Sequence, residues 1–283
     1  MSLRILITGA KGQLATEFIQ TCENNGIEYK AFSKEELDIT NFSLLLKIVR
    51  ELKPTHIINC AAYNLVDKAE TEPTDAYKVN AVGAYNLAVA CVEIGAVFVH
   101  YSTDYVFDGK KEAPYVEEDQ PNPLNEYGKS KLLGERLIQQ NMDKYLIFRT
   151  SWVYGKGKQN FLYKLTQWAQ SQEYLRIACD EFSVPTSTRT IVEVTLEVLK
   201  KGLRGLYHLV NSGYASRYEW TKEYFRLKGI KKFIYPAYQN EFNLPAKRPK
   251  WSAMSNEKIC KELDTEIREW ENELRRIINE GEI

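Results

Sequence analysis

Two patterns of apolar and polar positions alternate along the chain. The runs 4–8, 56–59, 97–101 and 145–148 are rich in branched residues and lack regular polar alternation, as in strands covered on both faces. They predict a parallel sheet. Between them, 14–24, 42–52, 75–94 and 126–140 read as helices, so the chain has the strand–helix rhythm of a doubly wound α/β domain with right-handed crossovers. After about Ser151 the punctuation thickens at Gly155, Gly157 and Pro185, and a strand-like piece at 205–210 mixes with helices near 188–201 and 217–228. This predicts a first domain over 1–151 and a smaller lobe over 152–283, partly interleaved with the sheet. The stretch 264–279, with Trp270, Leu274 and Ile277 at helical spacing, reads as a closing helix, and the mixed charges of 258–276 as its solvated face.

Composition narrows the function classes. The 283 residues carry 38 Lys+Arg against 38 Asp+Glu, a net charge of zero, which leaves no excess cation for a nucleic acid or an anionic membrane surface. Five cysteines (Cys22, Cys60, Cys91, Cys179, Cys260) make an odd set with no C-x-x-C pair, so a reducing, cytoplasmic setting is expected, without disulfides or structural zinc. The apolar run at 3–7 is too short for a signal segment, and no window approaches a membrane-spanning length. His56, His100 and His208 lie apart in strand-like runs and read as packed or hydrogen-bonded residues, not metal ligands. Cys60 and Cys179 lack the His and carboxylate pattern of an activated nucleophile.

The turn Gly9-Ala-Lys11-Gly12-Gln13-Leu14-Ala15 follows the first strand and opens the first helix. There, glycines let backbone N–H groups approach a pyrophosphate. Any strand-to-helix turn favours glycine, so placement, more than pattern, points to a dinucleotide and a Rossmann-type sheet. The second strand should end beside the adenosine ribose, where a carboxylate would select NAD(H). Ser33 and Lys34 stand there instead, so NADP(H) is expected, with NAD(H) also accepted.

The run 97–101 leads into Ser102-Thr103-Asp104-Tyr105, and Tyr127 and Lys131 follow one turn apart on a helix. A phenol can protonate the alkoxide formed when a carbonyl is reduced, provided a nearby ammonium and the cofactor lower its pKa from about 10. Thr103 would fix the same oxygen. Tyr-x-x-x-Lys occurs at Tyr127, Tyr154, Tyr218 and Tyr224, so spacing alone means little. Only the Tyr127 copy follows a Ser-Thr pair at a strand's carboxyl end, where open parallel sheets bind ligands.

With Gly9 to Leu14, Leu37-Asp-Ile-Thr40, Asn59-Cys-Ala-Ala62, Val66-Asp-Lys-Ala-Glu70, Val79-Asn-Ala81, Ser102 to Gly109, Tyr127 to Lys131, Arg149-Thr-Ser-Trp152, Pro185-Thr186 and Lys247-Arg-Pro249, the chain resembles the extended short-chain dehydrogenase/reductases, and among them the dTDP-4-dehydrorhamnose reductases. The resemblance implies Thr103, Tyr127 and Lys131 as the catalytic set. It places Asp38 and Ile39 near the adenine and lines the cofactor with Ala61, Ala62, Tyr63 and Tyr101. Asn64, Asp104, Trp152 and Arg248, with Thr103, would face the nucleotide-sugar. The implied reaction is reduction of the C4 ketone of a dTDP-4-keto-6-deoxy sugar, such as dTDP-4-dehydro-L-rhamnose to dTDP-L-rhamnose, by a monomer or homodimer.

Three departures stand out. Tyr63-Asn64 replaces the usual His-Thr or Tyr-Thr, and Asp180-Glu-Phe-Ser183 replaces Asp-Gln-x-Gly. Some relatives bridge a dimer through magnesium held by glutamates; Glu17 fits one position, but Arg189 occupies the other, so no metal is expected. Related dehydratases carry Glu where this chain has Tyr105, which removes the elimination acid. Related epimerases are usually longer. The other alternative is a cofactor-binding regulator without turnover, of the kind found in the regulatory subunit of methionine adenosyltransferase.

Overall fold

The computed structural model describes residues 3–283. Five parallel strands, β1 (Arg4–Thr8), β2 (Glu28–Phe32), β3 (His56–Asn59), β4 (Val97–Thr103) and β5 (Tyr145–Thr150), form a sheet completed by a sixth, Gly205–His208. The spatial order is β2-β1-β3-β4-β5 and then the sixth strand. Chain direction across the sheet therefore reverses at β1, and a crevice opens between the carboxyl ends of β1 and β3.

Successive side chains of each strand serve opposite layers, which is why the runs look uniformly apolar. Ile5 and Ile7 pack with Phe18 of α1 (Gln13–Asn24) and with Ile191 and Val198 of the helix Thr188–Lys201. Leu6, Ile57 and Phe98 pack with Leu45 and Val49 of α2 (Phe42–Leu52) and with Leu87 and Ile138 from the two other helices on that face. A separate core of Trp152, Tyr154, Leu165, Trp220 and Trp270 holds the remaining segments together.

Four elements differ from the sequence expectation. The strand-like piece near 205 belongs to the main sheet, paired in parallel with β5, because its helix Thr188–Lys201 packs beside α1 and returns the chain to the sheet edge. β4 continues through Thr103, so that residue is the last of a strand. The helix expected over 75–94 is interrupted by a π-helical turn, Lys78–Gly83, between Pro73–Tyr77 and Ala84–Ile94. That turn brings Asn80 to hold the Tyr63 backbone from both sides, at 2.9 Å each. The closing helix begins only at Trp270, since Asp264 adopts a left-handed conformation (φ 55°) that ends the preceding helix Glu257–Leu263. The six residues between run beside Ser212, whose N–H donates to the Arg268 carbonyl at 2.9 Å.

Candidate active site

The switch point is built from bare backbone. Gly9 has φ +70°, and a Cβ there would lie 2.8 Å from the Ala61 backbone nitrogen. A side chain is excluded by both conformation and space. Gly12 caps α1 without a side-chain hydrogen bond, so the first-turn N–H groups face the crevice with the positive end of the helix dipole. This cradle fits a pyrophosphate. The Gln13 side chain is committed elsewhere, donating to the Val153 carbonyl at 3.1 Å and accepting from Asn160 at 3.2 Å.

The end of β2 adds two groups to the sequence reading. Ser33 is buried and Lys34 exposed, but the chain turns back so that the Ser33 N–H donates to Glu36 at 2.8 Å. Glu35 is paired with Lys11 at 2.9 Å. Lys11 holds the exposed Glu35 carboxyl down to about 2. Two carboxylates thus stand at the end of β2, one and two residues beyond Lys34. Asp38 spends one oxygen on the Thr40 N–H and hydroxyl, at 2.9 and 2.8 Å. Ile39 is buried against Gly83, where a Cβ would come within 2.6 Å of its side chain.

Thr103, Tyr127 and Lys131 come together at the carboxyl end of β4. Thr103 and Lys131 are buried and Tyr127 is half-buried. Asn125 caps the helix Glu126–Asn141, its side chain accepting from the Gly128 N–H at 2.8 Å, and so sets the angle at which Tyr127 leaves the first turn. Burial pushes the Tyr127 phenol up to about 12; a hydrogen bond with Thr103 opposes this and the Asp104 charge adds to it. Lys131 is not among the groups that shift this phenol. Lys131 donates to the Tyr101 carbonyl and lies 3.4 Å from His100 Nε2. Burial lowers the Lys131 ammonium to about 8, against the pull of Glu135. Tyr101 itself contributes only that carbonyl, because its ring packs with Phe18 and Phe148 and its hydroxyl bonds Thr195 at 2.8 Å.

Asp104 sits behind Thr103 instead of facing a ligand. It accepts from Ser252 at 2.6 Å, Ser183 at 2.8 Å and Thr103 at 3.1 Å. Burial raises its carboxyl to about 6 despite these three donors. Ser183, one of the sequence departures, is thus a donor to the residue that orients Thr103. Glu181, another, accepts from the Tyr105 hydroxyl at 3.3 Å and pairs with Arg217 at 3.5 Å. The Tyr105 ring meets Tyr127 edge-on, 6.1 Å between centroids.

Beyond Glu181 lies a cavity of about 700 Å³, walled by Trp168, Arg176, Arg217, Tyr238 and Arg248 among others. The trio does not line it; Glu181 and Tyr105 join the two. Arg248 is held by both oxygens of Asp67, at 3.0 and 2.7 Å. Trp152, in a left-handed conformation (φ 43°), lies under the Arg217 guanidinium at 3.6 Å. Ala61 is half-buried at the switch point and Ala62 is exposed. Tyr63 turns towards Glu72, 3.4 Å from its hydroxyl, and Asn64 is exposed. Sequence reasoning missed Arg217, Arg176, Trp168 and Tyr238. They are scattered over four segments, and no spacing links them.

Among the described residues, no group of three or more His, Cys, Asp and Glu is placed to hold a metal ion. Glu17 accepts from Thr188 at 3.2 Å, while Arg189 pairs with Glu280, Glu282 and Glu193. No helix among the described residues is long and apolar enough to cross a membrane.

A parallel nucleotide-binding sheet with a hydroxyl, a phenol and an ammonium at one crevice defines a class, the nicotinamide-dependent oxidoreductases of the short-chain dehydrogenase/reductase type. The model of the RmlD substrate binding domain family matches residues 3–283. A dTDP-4-dehydrorhamnose reductase from Clostridium acetobutylicum is similar with TM-score 0.95 and 39% identity, covering 99% of each chain. That of Bacillus anthracis, solved in complex with NADP, has TM-score 0.95 and 36% identity over 99% of this chain and 100% of its own. The spore coat polysaccharide biosynthesis protein SpsK of Bacillus subtilis is 35% identical over 98% of this chain and 97% of its own. The chain belongs to the dTDP-4-dehydrorhamnose reductase family.

Proposed function

We propose that this protein reduces the C4 ketone of a dTDP-4-keto-6-deoxy sugar with NADPH, converting dTDP-4-dehydro-L-rhamnose to dTDP-L-rhamnose. The observation that carries the reading is Tyr127 beside Thr103 at the end of β4, next to a cavity with cationic walls. NADPH, when bound, supplies the hydride. The Gly9–Leu14 turn holds the pyrophosphate on the α1 N-terminus, and Lys131 holds the nicotinamide ribose. Tyr127, kept protonated through neutral pH by burial, gives its proton to the oxygen at C4. Thr103 bonds the same oxygen and fixes its position. Arg217 and Arg248 meet the diphosphate. Residues 1–151 form the cofactor-binding unit and 152–283 the substrate lobe, with Thr188–Lys201 and Gly205–His208 returning to the sheet. The protein works in the cytoplasm as a monomer or homodimer. Loss of NADPH absorbance with dTDP-, UDP- and GDP-4-keto sugars tests the reading. Turnover with none of them would leave a cofactor-binding regulator.

A further inference from the structure

A line of buried polar side chains runs from β1 across β3 and β4 to the helix Glu126–Asn141. Asn59 Oδ1 accepts from the Ala61 N–H at 3.1 Å and from the Thr8 hydroxyl at 2.6 Å. A backbone N–H cannot reverse its polarity, so the Asn59 oxygen is fixed on that side. Its amide nitrogen then donates to His100 Nδ1 at 3.1 Å. An Nδ1 that accepts carries no proton, and the neutral ring bears its proton on Nε2. Nε2 is the atom 3.4 Å from Lys131 Nζ. Two nitrogens that both carry hydrogen are therefore set face to face, with His100 1% and Lys131 2% exposed.

We infer that His100, locked by Asn59 in its Nε2–H form, is a positioning residue that loosens the hold of Lys131 on its proton and, unable to accept from it, leaves the Tyr101 carbonyl to hold the ammonium on β4 and its other N–H groups for the crevice. The inference rests on the reading of Lys131 as the ligand of the nicotinamide ribose. An ammonium cannot accept from Nε2–H, whereas a neutral amine can, so the contact favours the deprotonated lysine. His100 cannot relieve the conflict by charging, because burial and Lys131 both drive its pKa well below the ordinary value. The other groups facing Lys131 are the Tyr101 carbonyl on β4, which accepts from its Nζ and favours the ammonium, and Tyr127 and Glu135, one turn to either side on its own helix. Arg149 occupies both oxygens of Glu135, at 2.8 to 3.3 Å, which dilutes the one carboxylate that would stabilise the ammonium. Burial by itself already lowers Lys131 to about 8, and the contact with Nε2–H acts in the same direction.

Two measurements on the whole protein test the inference. Long-range ¹H–¹⁵N spectra of histidine-labelled protein, assigned with His100→Gln, should show His100 unprotonated at Nδ1, protonated at Nε2 and not titrating between about pH 5 and 9. A proton on Nδ1 overturns it. NADPH affinity should fall through a midpoint near 8 in the wild type, where Lys131 discharges. In His100→Gln, whose amide can rotate, and in His100→Met, which has no donor, the midpoint should rise by about one unit. An unmoved midpoint in both also overturns the inference. Lys131→Met separates the two readings: wild-type affinity with wild-type pH dependence would remove Lys131 from the cofactor site, whatever tautomer His100 shows.

Discussion

At the scale of single residues, the chemistry turns on which hydroxyl proton is committed where. Thr103 has one proton: Asp104 accepts it at 3.1 Å, while the Thr103 oxygen accepts from the Tyr105 N–H at 3.1 Å, so in the reading above that proton swings from Asp104 to the C4 oxygen when the sugar binds. Tyr127→Phe removes the proton donor without disturbing the cradle, and kcat should fall by about 10²-fold or more with NADPH affinity nearly unchanged. Steady-state kinetics and a cofactor titration check both halves. Tyr154→Phe is the control: that phenol is fully buried in the second core with no hydrogen-bond partner, so turnover should stay close to wild type. Asp104 adds a pH dependence. Its carboxyl is raised to about 6 by burial, so it is ionised above that pH and orients Thr103, and it becomes neutral below. The acid limb of kcat/KM should therefore have a midpoint near 6, and Asp104→Asn should flatten it. If the limb survives in Asp104→Asn, another group titrates there.

At the scale of elements, strand ends and helix starts decide which ligand can approach. The turn after β2 was half legible in the sequence. The absence of a carboxylate at Ser33 and Lys34 was plain, but the backbone turn that brings Glu36 onto the Ser33 N–H and Glu35 onto Lys11 was not. Such a turn depends on tertiary position rather than on strand periodicity. It supplies the next test. The sequence reading sets the 2′-phosphate of NADP(H) against Ser33 and Lys34, and Lys11, paired with Glu35 at the same turn, is a further cation that the phosphate would share with that carboxylate. Glu35→Gln removes the competitor and a negative charge, so Kd for NADPH should drop severalfold while Kd for NADH stays the same. Because the pair is exposed, added salt should shrink the effect. Equal changes for both cofactors would mean that the turn does not meet the ribose.

At the scale of the whole molecule, the sheet and the reacting trio were legible and the cavity was not. β1, β3, β4 and β5 announced themselves as branched runs, and the Thr103–Tyr127–Lys131 set followed from the position of one Tyr-x-x-x-Lys copy at a strand's carboxyl end. The sixth strand, Gly205–His208, was visible as a strand, but its place beside β5 depends on how the helix Thr188–Lys201 packs on α1. The cavity is assembled from the helix Phe161–Ser171 with the strand Tyr174–Ala178 that follows it, from Arg217 and from the segment 238–250, pieces that share no period. Its separation from the nucleotide cradle yields a clean prediction. Arg217 lies on Trp152 and is paired with Glu181, 8% of whose side-chain surface is exposed, and a diphosphate entering the cavity would draw the guanidinium from that carboxylate. Arg217→Met keeps much of the apolar stem against Trp152 and removes the charge. KM for the dTDP-sugar should rise by about 10-fold or more, with NADPH affinity unchanged and kcat at saturating sugar within a few-fold of wild type. Arg217→Lys should recover only part of the loss, since an ammonium can neither stack as a plane on Trp152 nor bind a phosphate through two N–H groups. If kcat falls while KM holds, Arg217 acts through Glu181 and Tyr105 on Tyr127, and the diphosphate sits elsewhere in the cavity.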